Sequence, residues 1–185
     1  MPRRALDNPL VLAVLGLLLE GPSHPYQMLA DLQKRGSSRL NRGTLYDIVD
    51  AVAAAGWIAP EDRSRAGNRP ERTVYAVTPS GLTELRRRLD EQIRTPEREF
   101  SRFLGAVSYL GALGAEGAAD ALTERAERLS SRIAADREVL TSIVSSGVAR
   151  LHMIEGEYAL AVAQAELDWV TTVVAEIRAG ELTWP

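Results

Sequence analysis

The sequence contains no cysteine, two histidines and a single lysine, Lys34. Without cysteine there are no disulfide bonds, no thiolate nucleophiles and no cysteine-based zinc sites. His24 and His152 are far apart in sequence, and neither has the carboxylate spacing typical of zinc enzymes. No glycine-rich phosphate loop follows a predicted strand. We therefore expect a protein that is not an enzyme and that needs no metal or other cofactor.

The sequence also lacks a long hydrophobic stretch. Its longest apolar run, Leu10 to Leu19, is too short to span a bilayer. The run follows Arg3 and Arg4, as the apolar region of a signal peptide would, but Asp7 interrupts the basic segment and no small-residue cleavage site follows the run. The run therefore predicts a buried helix. Together with the lack of cysteine, it favours a cytoplasmic protein with no membrane partner.

The formal net charge of −3 is unevenly distributed. Residues 1–94 contain 14 Lys and Arg against 11 Asp and Glu, whereas residues 95–185 contain 8 against 14. Physiological salt screens exposed charges over about 8 Å, so the sign of the local surface matters more than the total. The basic N-terminal half is therefore compatible with an anionic partner.

The N-terminal half has the signals of several helices and one hairpin. Asn8 and Thr78 are candidate N-caps of two of these helices. A lone hairpin is only marginally stable in water, so its apolar face is expected to pack on the helices. The predicted elements are helices over residues 8–19, 25–35, 41–55 and from 79 onward, and strands over 57–58 and 73–78. The fold class that we expect is mainly α with a small β-hairpin, in which residues 1–94 form a winged helix-turn-helix domain.

The C-terminal half, residues 95–185, has helical apolar spacing and no strand signal. One helix is predicted from Phe100 to Leu110, followed by two long helices over residues 116–145 and 148–179. Both long helices have narrow apolar seams at nearly heptad spacing. Two such helices cannot fully bury themselves as a hairpin, so a second copy of the chain is expected to cover them. The alternative is packing against the winged helix of the same chain.

This half is therefore expected to be a dimerisation domain. The residues expected at the homodimer interface are Leu122, Leu129, Ile133, Leu140, Leu151, Ile154, Tyr158, Ala165, Trp169 and Val173.

In a helix-turn-helix, the start of the second helix faces the major groove of DNA. Asn41 and Arg42 suit adenine and guanine edges, Gly43 permits close backbone approach, and Thr44 and Tyr46 offer hydroxyl groups to phosphates. These residues predict a contact with double-stranded DNA. The nearby carboxylates of Asp47 and Asp50 oppose it, unless arginines neutralise them.

The predicted hairpin tip is rich in cations. A solvated loop is one interpretation of such a run, and a wing that contacts DNA backbone or minor groove is the other. The candidate wing residues are Arg63, Arg65, Asn68, Arg69 and Arg72.

Several motifs, in order and spacing, resemble those of the PadR-like transcriptional regulators. They are Leu15-Gly16-Leu17-Leu18, Gly21-Pro22-Ser23-His24-Pro25-Tyr26, Arg42-Gly43-Thr44-Leu45-Tyr46, Gly56-Trp57-Ile58, Tyr75-Ala76-Val77-Thr78-Pro79-Ser80-Gly81 and Ala165-Glu166-Leu167-Asp168-Trp169-Val170. The last motif is similar to the final helix of the longer-tailed members, which have a three-helix dimerisation domain.

The resemblance implies a homodimeric DNA-binding regulator, commonly a repressor at a palindromic operator, which a hydrophobic or aromatic small molecule sometimes releases. It also implies that Tyr26 lies beside the DNA face, with packing inside the helix pair as the alternative. The sequence departs from the family at Pro25, where glycine is usual. Proline at the first helical position costs little, so DNA binding should survive.

The sequence is also compatible with other functions. The winged helix could serve a protein partner without binding DNA, or act as the scaffold of a ligand-binding or enzymatic helical domain. A dimeric winged-helix class with helices on both sides of the DNA-binding unit fits less well, because only a short basic segment precedes the first helix. Aromatic residues could line an effector pocket or pack as plain core, and they are Trp57, Phe100, Phe103, Tyr109 and Trp169.

Overall fold

The computed structural model describes residues 5–35, 40–61, 73–97 and 100–184. The chain divides into two compact units, Met1–Arg98 and Glu99–Pro185. The division falls four residues beyond the boundary at residue 94 that the end of the basic stretch suggested. The described part is mostly helical with one two-stranded sheet, which confirms the predicted fold class.

The first unit contains four described helices and a hairpin. They are α1 (Leu10–Leu19), α2 (Pro25–Lys34), α3 (Arg42–Ala54), β1 (Ile58–Pro60), β2 (Tyr75–Val77) and α4 (Pro79–Arg94). The strands are antiparallel, with Ile58 opposite Val77. Ser23, in the α1–α2 loop, forms a further antiparallel bridge to Tyr75, with N···O distances of 3.0 and 2.9 Å. The hairpin is therefore attached to the helix-turn-helix through its backbone.

Apolar side chains of α1 and α3, spaced so that they share one face of each helix, form much of the core of this unit. Leu45, Ile48, Val49 and Val52 occupy one face of α3 and are almost inaccessible to solvent. They pack in one cluster with side chains from the other elements, namely Val11, Val14, Leu15, Leu17, Leu18, Met28, Leu32, Leu40, Ile58 and Leu85. Because a stripe three and four residues apart lies on one side of a helix, the opposite side of α3 remains exposed.

Short-range caps fix where the helices begin. Thr78 caps α4 as predicted, since its Oγ1 accepts a hydrogen bond from Gly81 N at 3.1 Å. The prediction that Asn8 is the N-cap of α1 was wrong by one position: the helix begins at Leu10 after Pro9, and Asn8 Oδ1 accepts from Leu10 N at 2.9 Å. The side chain still satisfies one free N–H group of the first turn.

Gly81 lies where α4 approaches the start of the hairpin. A Cβ atom there would be 1.9 Å from the carbonyl oxygen of Trp57. Only glycine permits this approach without movement of the backbone.

The second unit consists of α5 (Arg102–Val107), a 3₁₀ turn (Leu110–Leu113), α6 (Gly114–Ser145), a second 3₁₀ turn (Arg150–His152) and α7 (Ile154–Ala179). Its main core cluster joins Ala118, Ala119 and Leu122 of α6 to Val170, Val174 and Ile177 of α7. Gly180 ends α7 with φ of 73°, the left-handed conformation that favours glycine.

Two helix predictions in this unit were wrong. The helix expected from Phe100 to Leu110 is shorter, because Ser101 caps it and Phe100 lies outside it. The last helix begins at Ile154 rather than near residue 148, because Gly147, with φ of 81°, is followed by a 3₁₀ turn. Apolar spacing is similar in 3₁₀ and α segments, so it does not mark this boundary.

Within the described ranges, the structure has no helix that is both long enough and apolar enough to cross a membrane.

Candidate nucleic-acid interface

The N-terminal turn of α3 is an exposed polar surface on a rigid support. Leu40 before the turn and Leu45 within it are buried, whereas Asn41, Arg42 and Gly43 are exposed. Thr44 and Tyr46 are partly exposed. The five residues expected to face DNA therefore lie together, on a helix whose other side is held by the core.

Asn41 is the N-cap of α3. Its Oδ1 accepts a hydrogen bond from Thr44 N at 2.9 Å, while Nδ2 takes no part in this bond. A two-bond contact to adenine needs both the oxygen and the nitrogen of the amide. Because the oxygen already holds the helix start, the amide nitrogen is the group of Asn41 best suited to an external acceptor.

Arg42 and Tyr46 form a pair one turn apart on α3. The guanidinium carbon of Arg42 lies 5.1 Å from the centre of the Tyr46 ring, and Nη2 of Arg42 lies 3.4 Å from the Tyr46 hydroxyl. Stacking of a guanidinium on an aromatic ring restricts its rotamers and leaves its N–H donors at the edge. The pair is thus pre-arranged to donate hydrogen bonds to an acceptor.

A cleft of about 490 Å³ continues this surface between α2, α3 and β2. Tyr26 lines it and is 61% exposed, so its side chain is not packed inside the helix pair. The cleft is lined by His24, Pro25, Tyr26, Arg42, Tyr46, Val49, Asp50, Thr73 and Tyr75. Hydroxyl, imidazole and guanidinium groups predominate among its polar side chains, which suits an anionic ligand.

His24 has a role that the sequence reasoning missed. Its Nδ1 accepts a hydrogen bond from Gln27 N at 3.0 Å, which makes His24 the N-cap of α2. Pro25 follows as the first helical residue, as predicted. An acceptor at Nδ1 requires the proton of the neutral ring to be on Nε2, so Nε2 is a donor. Histidine is not among the residues preferred at this position, so its type gave no signal.

Two features weaken the positive charge of the unit. Asp47 and Asp50 are exposed on α3, and within the described ranges neither forms a salt bridge. On α4, Glu84 accepts hydrogen bonds from Arg87 and Arg88, and these bonds, that from Arg87 above all, lower the pKa of Glu84 to about 2. These two arginines are therefore paired with acidic groups, whereas Arg42 is exposed in the first turn of α3.

The predicted wing residues Arg63, Arg65, Asn68, Arg69 and Arg72 lie outside the described residues.

The predicted dimer residues separate into two groups. Leu122, Leu129 and Ile133 of α6 are buried within the chain, Leu140 contacts α7 at Gly156, and Val173 packs on the α6–α7 core. Their burial needs no second copy. The periodicity of α6 identified a buried face but not the surface that covers it.

The second group forms what we call the exposed seam: Leu151, Ile154, Tyr158, Val162 and Trp169. These side chains follow one another at intervals of three, four or seven residues and are 43% to 73% exposed. Ala165 is also exposed and lies on the same face. Val162 was not among the predicted residues, although its spacing from Tyr158 and Trp169 places it in the series.

The aromatic residues of the second unit meet only in part. Phe103 and Trp169 pack edge to face with centroids 6.0 Å apart, and Arg125 lies 3.6 Å above the Phe103 ring. Phe100 and Tyr109 are each 79% exposed. Trp57 belongs to the first unit, where it packs on the core and under Arg88. Within the described ranges no cluster of His, Asp and Glu has the arrangement of a metal site.

The first unit has the fold of a winged helix-turn-helix protein. It consists of three helices, an antiparallel hairpin and a following helix, and the Ser23–Tyr75 bridge joins the hairpin to the helices. Residues 14–87, most of the first unit, match the model of the transcriptional regulator PadR-like family. The motifs of this segment that resemble the PadR-like transcriptional regulators are thus matched by the model of that family. A comparison with curated protein sequences gives no match.

Solved structures agree with the fold over almost the whole chain. PadR from Bacillus subtilis in complex with operator DNA has a TM-score of 0.73 and 20% identity, covering 92% of this chain and 99% of that one. The same protein in complex with p-coumaric acid gives 0.72 and 18%, covering 91% and 98%. The virulence activator AphA of Vibrio cholerae gives 0.63 and 18%, covering 92% and 98%.

Proposed function

We propose that this protein binds operator DNA through the exposed N-terminal turn of α3 and thereby represses transcription. The observation that carries the proposal is the joint exposure of Asn41, Arg42, Thr44 and Tyr46 on a helix whose other side is buried. The likeness to PadR bound to operator DNA supports it, because in a helix-turn-helix this turn is the one that enters the major groove.

Within this proposal, the cleft lined by Tyr26 and His24 receives a backbone phosphate, and the wing arginines Arg63, Arg65, Arg69 and Arg72, with Asn68, contact the flanking backbone. Phosphate contacts position a protein on DNA, whereas contacts to base edges give sequence preference. Arg42 is the base-reading candidate because its guanidinium can donate two hydrogen bonds to guanine.

The protein would act as a homodimer, with the exposed seam of the second 3₁₀ turn and α7 as the contact between copies. Leu151, Tyr158 and Trp169 are 72%, 73% and 43% exposed, and a row of exposed large apolar side chains is typical of a protein–protein contact surface. A two-fold dimer would present two α3 helices to successive major grooves about 34 Å apart, and its operator would be palindromic.

We further propose that a small aromatic or hydrophobic effector weakens the DNA complex. The PadR complex with p-coumaric acid supports the idea that this fold accepts such molecules. A coupling of roughly 1–3 kcal/mol between effector and operator would suffice to release the protein.

Fluorescence anisotropy tests the DNA-binding proposal. Full-length protein is titrated into labelled DNA from the region upstream of its own gene, at several salt concentrations. Arg42→Ala should weaken binding by roughly 1–3 kcal/mol, while Arg137→Ala, which removes an exposed arginine from α6, should have no effect. Wild-type affinity should fall steeply with salt. Weak binding that is insensitive to salt and to Arg42 would instead favour a winged helix that serves a protein partner.

A further inference from the structure

The side of α3 that points away from the core carries two carboxylates. Successive residues of an α-helix are turned by about 100°, which places each side chain relative to the buried apolar stripe of α3. Gly43, Asp47 and Asp50 lie roughly 150–170° around the helix from the middle of that stripe. Arg42 and Tyr46 lie nearer to it, at roughly 70° and 110°. The most outward positions of the helix are therefore held by a glycine and two aspartates.

Gly43 gives this outward side room for another molecule. A Cβ atom on Gly43 would approach only Asn41 Oδ1, at 3.4 Å, so packing among the described residues does not require glycine here. Glycine is also less favourable in a helix than alanine. A missing side chain at the first turn is useful where another molecule must come close to the helix.

Asp47 lies one turn after Gly43 on the same side of the helix, because residues four apart are neighbours on a helix surface. Asp47 and Asp50 are both exposed, and neither forms a salt bridge within the described ranges. Asp50 lines the cleft between α2, α3 and β2, about 60° around the helix from Asp47. Asp47 is thus an exposed carboxylate on the part of α3 that faces away from this cleft.

We propose that Asp47 determines sequence preference by accepting a hydrogen bond from the amino group of a cytosine in the major groove. The inference rests on the proposed function, since it requires that α3 enters this groove. A carboxylate can only accept hydrogen bonds, and cytosine and adenine are the bases that present an amino donor there. The adenine amino group lies beside the N7 acceptor, which repels a carboxylate. Cytosine is therefore the compatible base.

Position along α3 favours Asp47 over Asp50 as the reader. The N-terminal residues of a recognition helix contact base edges, and Asp47 is closer than Asp50 to the start of α3 at Arg42. A carboxylate in this place also opposes the phosphates that flank the groove. Asp47 would thus weaken binding to every sequence, and a cytosine amino group would compensate for it. Such a difference between sequences is what gives specificity.

Selection of bound sequences from a random double-stranded pool tests the inference with full-length wild-type, Asp47→Ala and Asp47→Asn proteins. Wild-type protein should enrich cytosine at one position of each half-site, and Asp47→Ala should leave that position unspecified. Asp47→Asn should change the preference there to adenine, because an amide can pair with both N6 and N7. A purely structural role of Asp47 would not exchange one preferred base for another. Asp50→Ala, from the same side of α3, is the matched control that should keep the cytosine.

Fluorescence anisotropy with the selected duplex measures the size of the effect. Exchange of the C·G pair for T·A, which presents an acceptor, should weaken wild-type binding by about tenfold or more. The same exchange should change the affinity of Asp47→Ala by less than about twofold. At low salt, Asp47→Ala should also bind a duplex of unrelated sequence more tightly than wild-type protein does, since one negative charge is gone. Circular dichroism verifies that each variant is folded.

Two results would overturn the inference while leaving the proposed function intact: the same preferred sequence for wild-type and Asp47→Ala proteins, or loss of the cytosine in Asp50→Ala instead. Enrichment of no sequence by wild-type protein would refute the proposed function, and the inference with it.

Discussion

Replacement of Asn41 by aspartate separates the structural and DNA-binding roles of this residue. Asn41 Oδ1 caps α3 through Thr44 N at 2.9 Å, and an aspartate oxygen can accept the same hydrogen bond. A carboxylate also interacts favourably with the positive end of the helix dipole. We therefore expect Asn41→Asp to leave the free energy of unfolding within about 0.5 kcal/mol of the wild-type value.

DNA affinity should respond differently. Aspartate has no amide nitrogen to donate and adds a negative charge beside Arg42, in the turn proposed to enter the major groove, which backbone phosphates flank. At about 6 Å and an effective dielectric constant of 20, one repulsive charge pair amounts to roughly 3 kcal/mol before salt screening. Allowing for screening and for the lost hydrogen bond, we expect a loss of operator affinity of about 2 kcal/mol, close to thirtyfold.

Asn41→Ala provides the contrast. It removes the cap, so unfolding should become easier by about 1 kcal/mol, while no charge is added. Urea unfolding followed by circular dichroism gives stability, and fluorescence anisotropy with upstream DNA gives affinity. Equal DNA binding by wild-type and Asn41→Asp protein, at low and at physiological salt, would refute the placement of this turn against DNA.

Three further predictions concern other parts of the chain. Gly81→Ala should destabilise the protein by about 2 kcal/mol, because the new Cβ atom would lie 1.9 Å from a backbone oxygen. Gly16→Ala, which has open space around it in α1, should stabilise the protein by about 0.5–1 kcal/mol. Urea unfolding measures both changes. The pKa of Glu84 is lowered to about 2 in the folded state. The stability that this carboxylate contributes is therefore present above its unfolded pKa near 4.5 and is lost as the pH falls toward 2. Between pH 5 and pH 3, the urea midpoint of Glu84→Gln should accordingly fall less than that of wild-type protein. Tyr158→Asp in the exposed seam should shift the protein from dimer to monomer in sedimentation velocity, while Ala175→Asp, on the polar side of α7, should not.

Local signals in the sequence predicted local structure well. Thr78 with Pro79, Pro25 at a helix start and Gly180 at a helix end all have the expected roles, because a cap or a positive φ depends on few neighbours. The apolar stripe of α3 is buried as expected, since its spacing fits only one face of a helix.

What covers a predicted apolar face was harder to infer. Leu122 and Leu129 were expected to meet a second chain, but they are buried within their own unit, whereas Tyr158 and Trp169 remain exposed. Helical spacing shows that residues share a face and does not identify the partner surface. The same limit applies to Phe103 and Arg125, which only tertiary packing brings into contact.

Inside the candidate DNA surface, the sequence identified the residues but not their internal bonds. The i, i+4 spacing of Arg42 and Tyr46 contained the signal for their stacking. The cap by His24 gave no such signal, and the cap by Asn41 changes which atoms of that side chain are available.

The central claim is that this chain reads DNA as a two-fold dimer through α3. Selection of bound sequences from a random double-stranded pool by the full-length protein tests it most directly. We expect an enriched palindrome whose half-sites lie about 10 base pairs apart, and an altered half-site preference for Arg42→Ala. Enrichment of no sequence, or of a single half-site with no symmetry mate, would contradict it.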